Sequence, residues 1–320
     1  MNQVIRRSRT FAFAIAAVAF SGLAQAAWDI AIIDYPGAQS TAVGGINNPG
    51  QVAGSATYYD AIVRLPPYVT SFVYDTNKHT YTSLPQPPGY FAQAFAISDP
   101  GVIVGTATTD LDFGSSVGFV LNKGAYTLFS HPCCTDTVVR GISNTGLVTG
   151  FAFNGSPTSA RGFIYDPASN TFTGITFPDG NVVYAQGING RGQVVGSVRL
   201  LSNAAYQGSP PGHYGYLRER NGATTLFRVN GLETRARGID DAGLITGWTK
   251  DTSGVFHGYV ATLPGLSGYQ VVSVPAAQIF EVPGEDSTAP QAVDNSGRVV
   301  GFYADVNGDQ HSFIATPPKK

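Results

Sequence analysis

The sequence predicts an all-β fold, a six-bladed β-propeller of four-stranded blades that is closed by its N-terminal strand. A ten-residue phrase recurs six times, an aromatic strand follows each copy, and one strand-like segment stands alone before the first copy. A period of roughly 40–50 residues built on short strands is typical of propeller blades. An open solenoid is the alternative, although solenoid repeats are usually shorter or helical.

The recurring phrase predicts the first two strands of each blade and the turn between them. Its copies are Gly45–Gly54, Ala96–Gly105, Gly141–Gly150, Gly187–Gly196, Gly238–Gly247 and Ala292–Gly301, and their central glycines are 51, 45, 46, 51 and 54 residues apart. Each opens on a small residue followed by Ile or Val, which suits a crowded innermost strand. Asn, Asp or Ser then begins a tight turn by bonding its own backbone, and glycine ends it with a positive φ.

An aromatic phrase marks the third strand, and we expect its rings to fill the space between blades. The phrases are Ser71–Tyr74, Gly118–Val120, Gly162–Tyr165, Gly215–Leu217, Gly258–Val260 and Ser312–Ile314. Outer strands are predicted at Tyr81–Leu84, Tyr126–Phe129, Phe172–Ile175, Thr225–Phe227 and Gln270–Val272. The sixth blade lacks an outer strand, and Ile30–Gly37 resembles the missing one. Pairing this segment into the last blade would remove an exposed sheet edge.

The first 26 residues predict where the protein is located. Arg6, Arg7 and Arg9 precede a short apolar run, Phe11–Phe20, and the small-residue end Ala24-Gln25-Ala26. This pattern is typical of a secretory signal peptide cleaved after Ala26, since a membrane anchor needs about 20 apolar residues. We therefore expect residues 1–26 to be removed and residues 27–320 to form one extracytoplasmic domain, periplasmic or secreted, without a membrane span.

The composition limits the classes of partner. The whole chain carries a net charge of −2, and removal of three signal-peptide arginines leaves about −5. No basic run remains to hold a phosphate backbone, so nucleic acid is not an expected partner. Apolar residues make up 43% of the chain, enough for a packed core, and charged residues only 12%. We expect a monomer with no cofactor.

Two of the aromatic phrases point to a known family. The phrases Gly-Ile-Asn-x-x-Gly-x-Val-x-Gly, His257-Gly258-Tyr259 and His311-Ser312-Phe313 resemble the bacterial extracellular HAF-repeat family. The resemblance covers nearly the whole mature chain, but the other four phrases lack the histidine. It implies a secreted repeat protein and carries over no catalytic residue. The C-terminal sorting tail found in some members is not seen here.

Ligand-binding residues are expected where the six copies differ, in the loops that lead from each outer strand to the next inner strand. These loops gather at one mouth of a propeller channel. They span Tyr35–Val43, Pro88–Phe95, His131–Arg140, Pro178–Gln186, Asn230–Arg237 and Pro283–Gln291. The predicted ligand-binding residues are Tyr90, His131, Cys133, Cys134, Asp136, Arg140, Tyr184, Arg235, Arg237, Glu285 and Asp286. Aromatic rings beside arginines and carboxylates suit sugar stacking and carboxylate recognition. The alternative is an ordinary solvated surface.

The adjacent cysteines Cys133 and Cys134 lie in the same set of loops and are the only two in the chain. Their Cα atoms must be about 3.8 Å apart, below the usual disulfide range. An oxidising compartment nevertheless favours a strained bond between them. Two free thiols, or a bridge to another chain, are the alternatives.

Metal-binding patterns are weak. Asp305–Asp309 begins like a calcium loop but lacks its terminal glutamate, so a hairpin turn is the favoured interpretation. The five histidines show no ligand spacing, and we expect His257 and His311 to be structural. We predict no metal site.

Two functional classes remain. The favoured hypothesis is a binding or scaffold propeller that recognises a glycan or an envelope component at the channel mouth. The alternative is a carbohydrate-active enzyme. In a lyase, Tyr184 or His131 would be the base, and Arg140, Arg235 or Arg237 would neutralise a uronate. In a glycosidase the candidate acids are Asp136, Glu233, Glu285 and Asp286.

Overall fold

A computed structural model describes most of the chain. It covers residues 28–58, 68–109, 115–177, 182–201, 211–263, 270–274, 278–282, 287–305 and 309–318, with the backbone alone for 270–274 and 278–279. The predicted signal peptide lies outside the described residues. Six sheets, five of them four-stranded, follow one another around a central axis, and the sixth packs on the first. The prediction of an all-β six-bladed propeller is confirmed.

Each blade is an antiparallel meander whose first strand lies innermost. Blade 1 contains β2 (Ser40–Ile46), β3 (Gln51–Tyr58), β4 (Tyr68–Asp75) and β5 (Thr80–Ser83). Blade 2 contains β6 (Phe91–Ile97), β7 (Ile103–Thr108), β8 (Ser116–Asn122) and β9 (Ala125–Phe129). Blade 3 contains β10 (Asp136–Ile142), β11 (Val148–Phe153), a 3-10 turn (Pro157–Ser159), β12 (Arg161–Asp166) and β13 (Thr171–Ile175).

The second half of the chain repeats the arrangement. Blade 4 contains β14 (Val182–Ile188), β15 (Val194–Leu200), β16 (Gly212–Arg218) and β17 (Thr224–Val229). Blade 5 contains β18 (Glu233–Ile239), β19 (Leu244–Lys250), β20 (Phe256–Thr262) and β22 (Gln278–Phe280). Blade 6 contains β23 (Ser287–Val293), β24 (Val299–Ala304) and β25 (Gln310–Thr316), and β1 (Asp29–Ile32) is its outer strand.

The N-terminal strand closes the ring as predicted. Strand β1 pairs antiparallel with β25, with Asp29 opposite Thr316 and Ile32 opposite Phe313. Ile33 continues the contact by donating its N–H to the carbonyl of Ser312 at 2.9 Å. The last blade therefore takes strands from both ends of the chain, and its outer edge is covered.

Blade 5 differs from the prediction at its outer strand. The predicted segment forms β21 (Gln270–Val274), which pairs parallel with β17 and adds a fifth strand to blade 4. The outer strand of blade 5 is instead β22, which pairs with β20. A short run rich in valine fits either sheet edge equally well, so local pattern could not decide between them.

The glycine that ends each repeat phrase is explained by the ring opposite it. This glycine lies on the second strand and pairs with the aromatic residue of the third. The pairs are Gly54–Phe72, Gly105–Phe119, Gly150–Phe163, Gly196–Tyr216, Gly247–Tyr259 and Gly301–Phe313. All six rings have 0% exposure, which confirms that they fill the protein interior. A Cβ on Gly150 would lie 2.8 Å from the Phe163 ring, so the missing side chain makes room for it.

The small residue before each ring faces the next blade. A Cβ on Gly162 would lie 2.9 Å from a methyl carbon of Val183 in blade 4. Where this residue is serine, its hydroxyl bridges the two blades. The Ser71 hydroxyl donates to the carbonyl of Ala92 at 2.7 Å and accepts from the N–H of Ala94 at 2.9 Å. The small residue thus permits close approach of the neighbouring inner strand.

The hydrophobic core is a ring of clusters between blades. One cluster joins Val104 and Phe129 of blade 2 to Val139 and Phe163 of blade 3. Corresponding clusters occupy the other five interfaces, including the one between blades 6 and 1. Because each sheet buries both of its faces, no blade can form its core alone.

His257 and His311 clamp their strands to neighbouring loops, which supports the structural interpretation. Nδ1 of His311 lies 2.6 Å from Oδ2 of Asp34, and Nδ1 of His257 lies 2.7 Å from a carboxylate oxygen of Glu281. The hydrogen bond with Asp34 is the main cause that raises the pKa of His311 above 6.5. Burial lowers the pKa of His257, but hydrogen bonds with Glu281 and Asp251 outweigh it and raise the pKa above 6.5.

We expect these two histidine–carboxylate contacts to make the free energy of unfolding depend on pH. Because both folded-state pKa values are raised, their contribution is fully present below pH 6.5 and is lost as the pH rises through the folded values. We expect the urea midpoint difference between the wild type and a His257→Gln/His311→Gln double variant to shrink between about pH 6 and pH 8.5. His79→Asn is the control, because His79 contacts the Tyr74 hydroxyl instead of a carboxylate. A difference that is constant with pH would contradict the expectation.

Candidate functional site

The two ends of the channel are built from different connections. The turns between first and second strands lie at one end, which we call the turn face. The hairpins between second and third strands, together with the loops from each fourth strand to the next blade, lie at the other end, the loop face. This follows from the up-and-down order of strands in every blade.

A buried threonine near the start of the inner strand holds the incoming loop in four blades. The Thr137 hydroxyl accepts from the N–H of His131 at 2.8 Å, and the Thr234 hydroxyl accepts from the N–H of Val229 at 2.9 Å. Thr41 and Thr288 make the same contact in blades 1 and 6. The loop face is therefore anchored to the rigid inner strands.

The inner strands are longer than predicted and carry several of the predicted site residues. Each begins about five residues before the repeat phrase, so Asp136, Arg140, Tyr184, Arg235 and Arg237 lie on strands β10, β14 and β18 instead of in loops. The prediction that these residues lie in loops was wrong. The repeat phrase marks only the second half of each inner strand, because the first half differs from copy to copy.

Every inner strand contains a β-bulge at the same place. The register with the second strand shifts between Val43 and Gly45 in blade 1, and it shifts at the equivalent position in the other five blades. The extra residues are Gly44, Phe95, Arg140, Gln186, Arg237 and Gln291, and these six together line one small cavity. We call this set the bulge ring. A bulge redirects a side chain, here towards the axis.

A basic cleft opens on the loop face between blades 4 and 5. Its volume is about 700 Å³. It is lined by Arg199, Leu200, Leu201, Pro211, Gly212, His213, Glu233, Arg235, Trp248, Lys250 and Phe256. Three of these side chains are cationic at neutral pH and one is a carboxylate. The cleft is therefore positive although the whole chain is negative.

Arg235 lines the cleft and is held by aromatic rings. Its guanidinium carbon is 5.0 Å from the Trp248 ring centroid and 6.0 Å from that of Tyr184. Trp248 itself packs on Phe256, with ring centroids 4.6 Å apart. This cation–π arrangement fixes the guanidinium plane and leaves the N–H groups that do not contact His213 available for a ligand.

Arg235 also determines the charge of its histidine neighbour. Nη2 of Arg235 lies 3.4 Å from Nε2 of His213. Burial, followed by the positive charge of Arg235, lowers the pKa of His213 to about 4. The imidazole is therefore neutral at pH 7 and accepts this contact, so its proton resides on Nδ1. That buried Nδ1 has no hydrogen-bond partner among the described residues.

A hydrogen-bonded ring surrounds the channel at the turn face. The backbone N–H of one turn donates to the side-chain oxygen of the next, as from Asn48 to Asp99 at 2.9 Å and from Asp99 to Asn144 at 2.8 Å. The same links run from Gly190 to Asp241, on to Asn295, and back to Asn48. Gly190 has no side chain to accept from Asn144, so the ring is open at that point. The central glycines of all six turns have φ between 78° and 93°, as predicted.

The remaining predicted site residues do not join the cleft. His131 packs against Phe172 at 4.7 Å in blade 3, and burial, then the charge of Arg161, lower its pKa. Oδ1 of Asp136 accepts from the N–H and hydroxyl of Ser116, both at 3.1 Å. Tyr90 packs against the core of blade 2. Glu285 and Asp286 lie outside the described residues.

Cys133 and Cys134 form the vicinal disulfide that the sequence favoured. Their Cα atoms are 3.8 Å apart, and the backbone N–H of Cys133 donates to Nδ1 of His131 at 3.3 Å. The two sulfurs and the His131 ring form the one described cluster with metal-ligand spacing. Because both sulfurs are bonded to each other, the cluster offers no thiolate to a metal.

Several cleft residues were missed by the sequence prediction. Arg199, His213, Trp248, Lys250 and Phe256 belong to second and third strands, near the hairpins that join them. Only the loops between blades were considered as sources of ligand contacts. In an up-and-down blade the hairpin between the second and third strands lies on the loop face, as do the loops between blades. The strand order alone could therefore have predicted that these residues reach the cleft.

Comparison with known proteins supports the fold and no more. No protein-family model and no curated protein matches the chain. The chain is similar to TolB from Acinetobacter baumannii, with a TM-score of 0.50 and 12% identity over 72% of this chain. The alignment covers 55% of the TolB chain, so this chain spans about half of that protein. The fold is that of a β-propeller.

A second solved structure is also similar. It is the β-propeller domain of the Trilobed protease from Pyrococcus furiosus, with a TM-score of 0.44 and 12% identity, covering 88% of this chain and 95% of that one. The resemblance to the HAF-repeat family is supported by no family model and stays a prediction. The described part of the chain contains no helix capable of crossing a lipid bilayer.

Proposed function

We propose that the protein is an extracytoplasmic, monomeric binding propeller that recognises a carboxylate-bearing glycan in the cleft between blades 4 and 5. The observation that carries the proposal is the grouping of Arg199, Arg235 and Lys250 around the aromatic pair Trp248 and Phe256. Guanidinium groups bind carboxylates in a bidentate manner, and aromatic rings supply the apolar contact that sugar rings need.

The electrostatics of the cleft favour an acidic ligand over a neutral one. Burial lowers the pKa of Arg235, which reflects the cost of holding its charge away from water. No carboxylate of the described residues forms an ion pair with Arg235. A ligand carboxylate would lower that cost by taking the place of solvent beside the guanidinium.

Binding is favoured over catalysis because the candidate catalytic groups are occupied or too few. The Tyr184 hydroxyl donates to the carbonyl of Pro157 at 2.8 Å, and burial raises its pKa, so it is a poor lyase base. A glycosidase needs two carboxylates, and Glu233 is the one acid among the described cleft residues.

Affinity electrophoresis through gels that contain polysaccharide tests this proposal. We expect polygalacturonate and alginate to retard the protein, neutral dextran to leave it unretarded, and added salt to weaken the retardation. Arg235→Gln should lower the affinity about tenfold or more, because a charged bidentate contact is lost. Arg161→Gln, an exposed arginine at the start of β12 in blade 3, is the matched control.

Two results would contradict the proposal. Equal retardation of both variants would place any binding elsewhere. Mass spectrometry of the soluble fraction after incubation addresses the enzymatic alternative. Shortened or unsaturated oligosaccharides would replace the binding function with a hydrolase or a lyase, respectively.

A further inference from the structure

The bulge ring places two arginines in the interior of the channel. Arg140 comes from blade 3 and Arg237 from blade 5, at the same position of their bulges. Both also line a second, wider space of about 90 Å³ that opens towards the turn face. Both guanidinium groups are surrounded by protein, and the partial exposure of the two side chains is towards the channel lumen.

Neither arginine forms an ion pair with a described residue. The guanidinium of Arg140 lies over the Phe95 ring at 4.2 Å and forms no hydrogen bond with the described residues. Nη1 of Arg237 donates to Oε1 of Gln186 at 3.0 Å. Nε of each arginine is buried and has no hydrogen-bond partner in the part of the chain that the structure describes. Of the five N–H donors of each guanidinium, almost all therefore have no acceptor among the described residues.

Both guanidinium groups carry a charge that no ion pair with a described residue offsets. Burial lowers the pKa of Arg140 to about 10, and burial followed by repulsion from Arg140 and Arg235 lowers the pKa of Arg237 to about 9. Both groups remain charged at pH 7. The ion pairs among the described residues involve Lys78, Arg298, His257 and His311, none of which lines the bulge ring. A buried charge without a partner is costly to a fold.

We propose that the lumen between Arg140 and Arg237 is a binding site for a small monovalent anion of the carboxylate type. Such an anion would accept N–H bonds from both guanidinium groups and neutralise part of their charge. The space of about 90 Å³ is large enough for an ion of the size of formate or acetate. This site is separate from the cleft on the loop face and does not depend on the proposed glycan binding.

The charges at the rim of the turn face favour a bound anion with a single negative charge. Asp99 and Asp241 belong to the hydrogen-bonded ring there, and Asp240 and Asp294 line the same space. Asparagine amides and backbone N–H groups bond the Asp99 and Asp241 carboxylates, and Arg298 pairs with Asp294 at 2.6 Å. The residual negative charge opposes phosphate and sulfate dianions more than a monoanion.

Thermal denaturation in formate tests the site. Formate is titrated against the sodium salt of a bulky sulfonate at constant ionic strength, with acetate, chloride, phosphate and sulfate as parallel series. We expect the wild-type Tm to rise saturably, by roughly 4 °C at a formate concentration a hundredfold above its Kd. Acetate should act similarly, and phosphate and sulfate more weakly. A wild-type Tm that does not depend on formate overturns the proposal.

Two substitutions separate an anion site from simple packing. Arg140→Met and Arg237→Met should abolish the formate response, and in the sulfonate salt each variant should melt at least as high as the wild type, because a buried unpaired charge is gone. Arg220→Met, in the exposed turn after β16, should keep the full response. Variants that melt lower and still respond to formate would make the arginines packing residues and overturn the proposal.

A measurement on the wild type alone avoids any folding defect of the variants. Relaxation of ¹³C-formate should be enhanced by the protein, and an excess of unlabelled formate should reverse the enhancement. An enhancement that grows linearly with formate up to high concentration would show nonspecific contact only. The arginines would then be hydrated by channel water, and the proposed site would be rejected.

Discussion

Replacement of Gly150 by alanine should destabilise the propeller by about 3 kcal/mol or more, a large share of a typical free energy of unfolding. The new Cβ would meet the carbonyl oxygen of Val138 on the adjacent strand and the Phe163 ring at 2.8 Å. Neither can retreat, because the ring is fully buried between blades and the carbonyl belongs to the inner strand. Phe163→Ala should cost about 3–5 kcal/mol through the cavity it leaves.

The same blade supplies a matched control. Gly174 lies on the outer strand β13, and a Cβ there would meet nothing within 4 Å. Gly174→Ala should therefore leave the urea midpoint unchanged or raise it slightly, since alanine restricts the unfolded chain. Urea denaturation at one pH measures all three variants. Similar midpoints for Gly150→Ala and Gly174→Ala would contradict the account of the repeat phrase.

Removal of residues 28–33 should have a comparable or larger effect, because it uncovers strand β25. Ile33 is 3% exposed within the core between blades 6 and 1, and Trp28 stacks on Phe280 at 4.9 Å. Loss of these side chains from the core should cost about 5 kcal/mol, at 1.5–3 kcal/mol for each large apolar residue. The freed edge of β25 should also promote association of the shortened chain.

A peptide added in trans provides the decisive readout. A synthetic peptide of residues 28–39 should raise the urea midpoint of the shortened protein saturably, and a scrambled peptide should not. Size-exclusion chromatography should show aggregates that the native peptide reduces. A shortened protein with wild-type stability would mean that closure by β1 contributes nothing.

The frame of the propeller was predictable because its rules are local and repeated six times. A turn that needs a positive φ and a missing outer strand can each be recognised in the sequence, and both were confirmed. The pairing of the last glycine of each phrase with a ring was not predicted and is shown by the strand register. The position of β21 was not predictable. Its pairing with β17 depends on contacts between distant segments, and its residues suit the edge of either neighbouring blade.

The candidate site was predicted in part. Arg235 and Tyr184 were selected because they lie where the copies differ. The structure places Arg235 in the lining of the cleft, with its guanidinium carbon 6.0 Å from the Tyr184 ring centroid. Arg140 and Arg237 were selected as loop residues, although they lie on strands inside the channel. Spacing alone did not reveal the bulges, because one extra residue in a strand leaves no composition signal when its identity differs among the copies.

The bulge ring also separates two requirements that usually compete within one strand, namely constant pairing with the neighbouring strand and a variable side chain in the lumen. Residues on either side of each bulge pair and pack in the same way in all six blades, whereas the bulged residue itself is glycine, phenylalanine, glutamine or arginine. At the five positions other than Gly44, the lumen can therefore change its chemistry one blade at a time without altering any strand register. A designer could vary these five positions and obtain channels of different charge on one frame, whereas a Cβ on Gly44 would meet the backbone of Phe95.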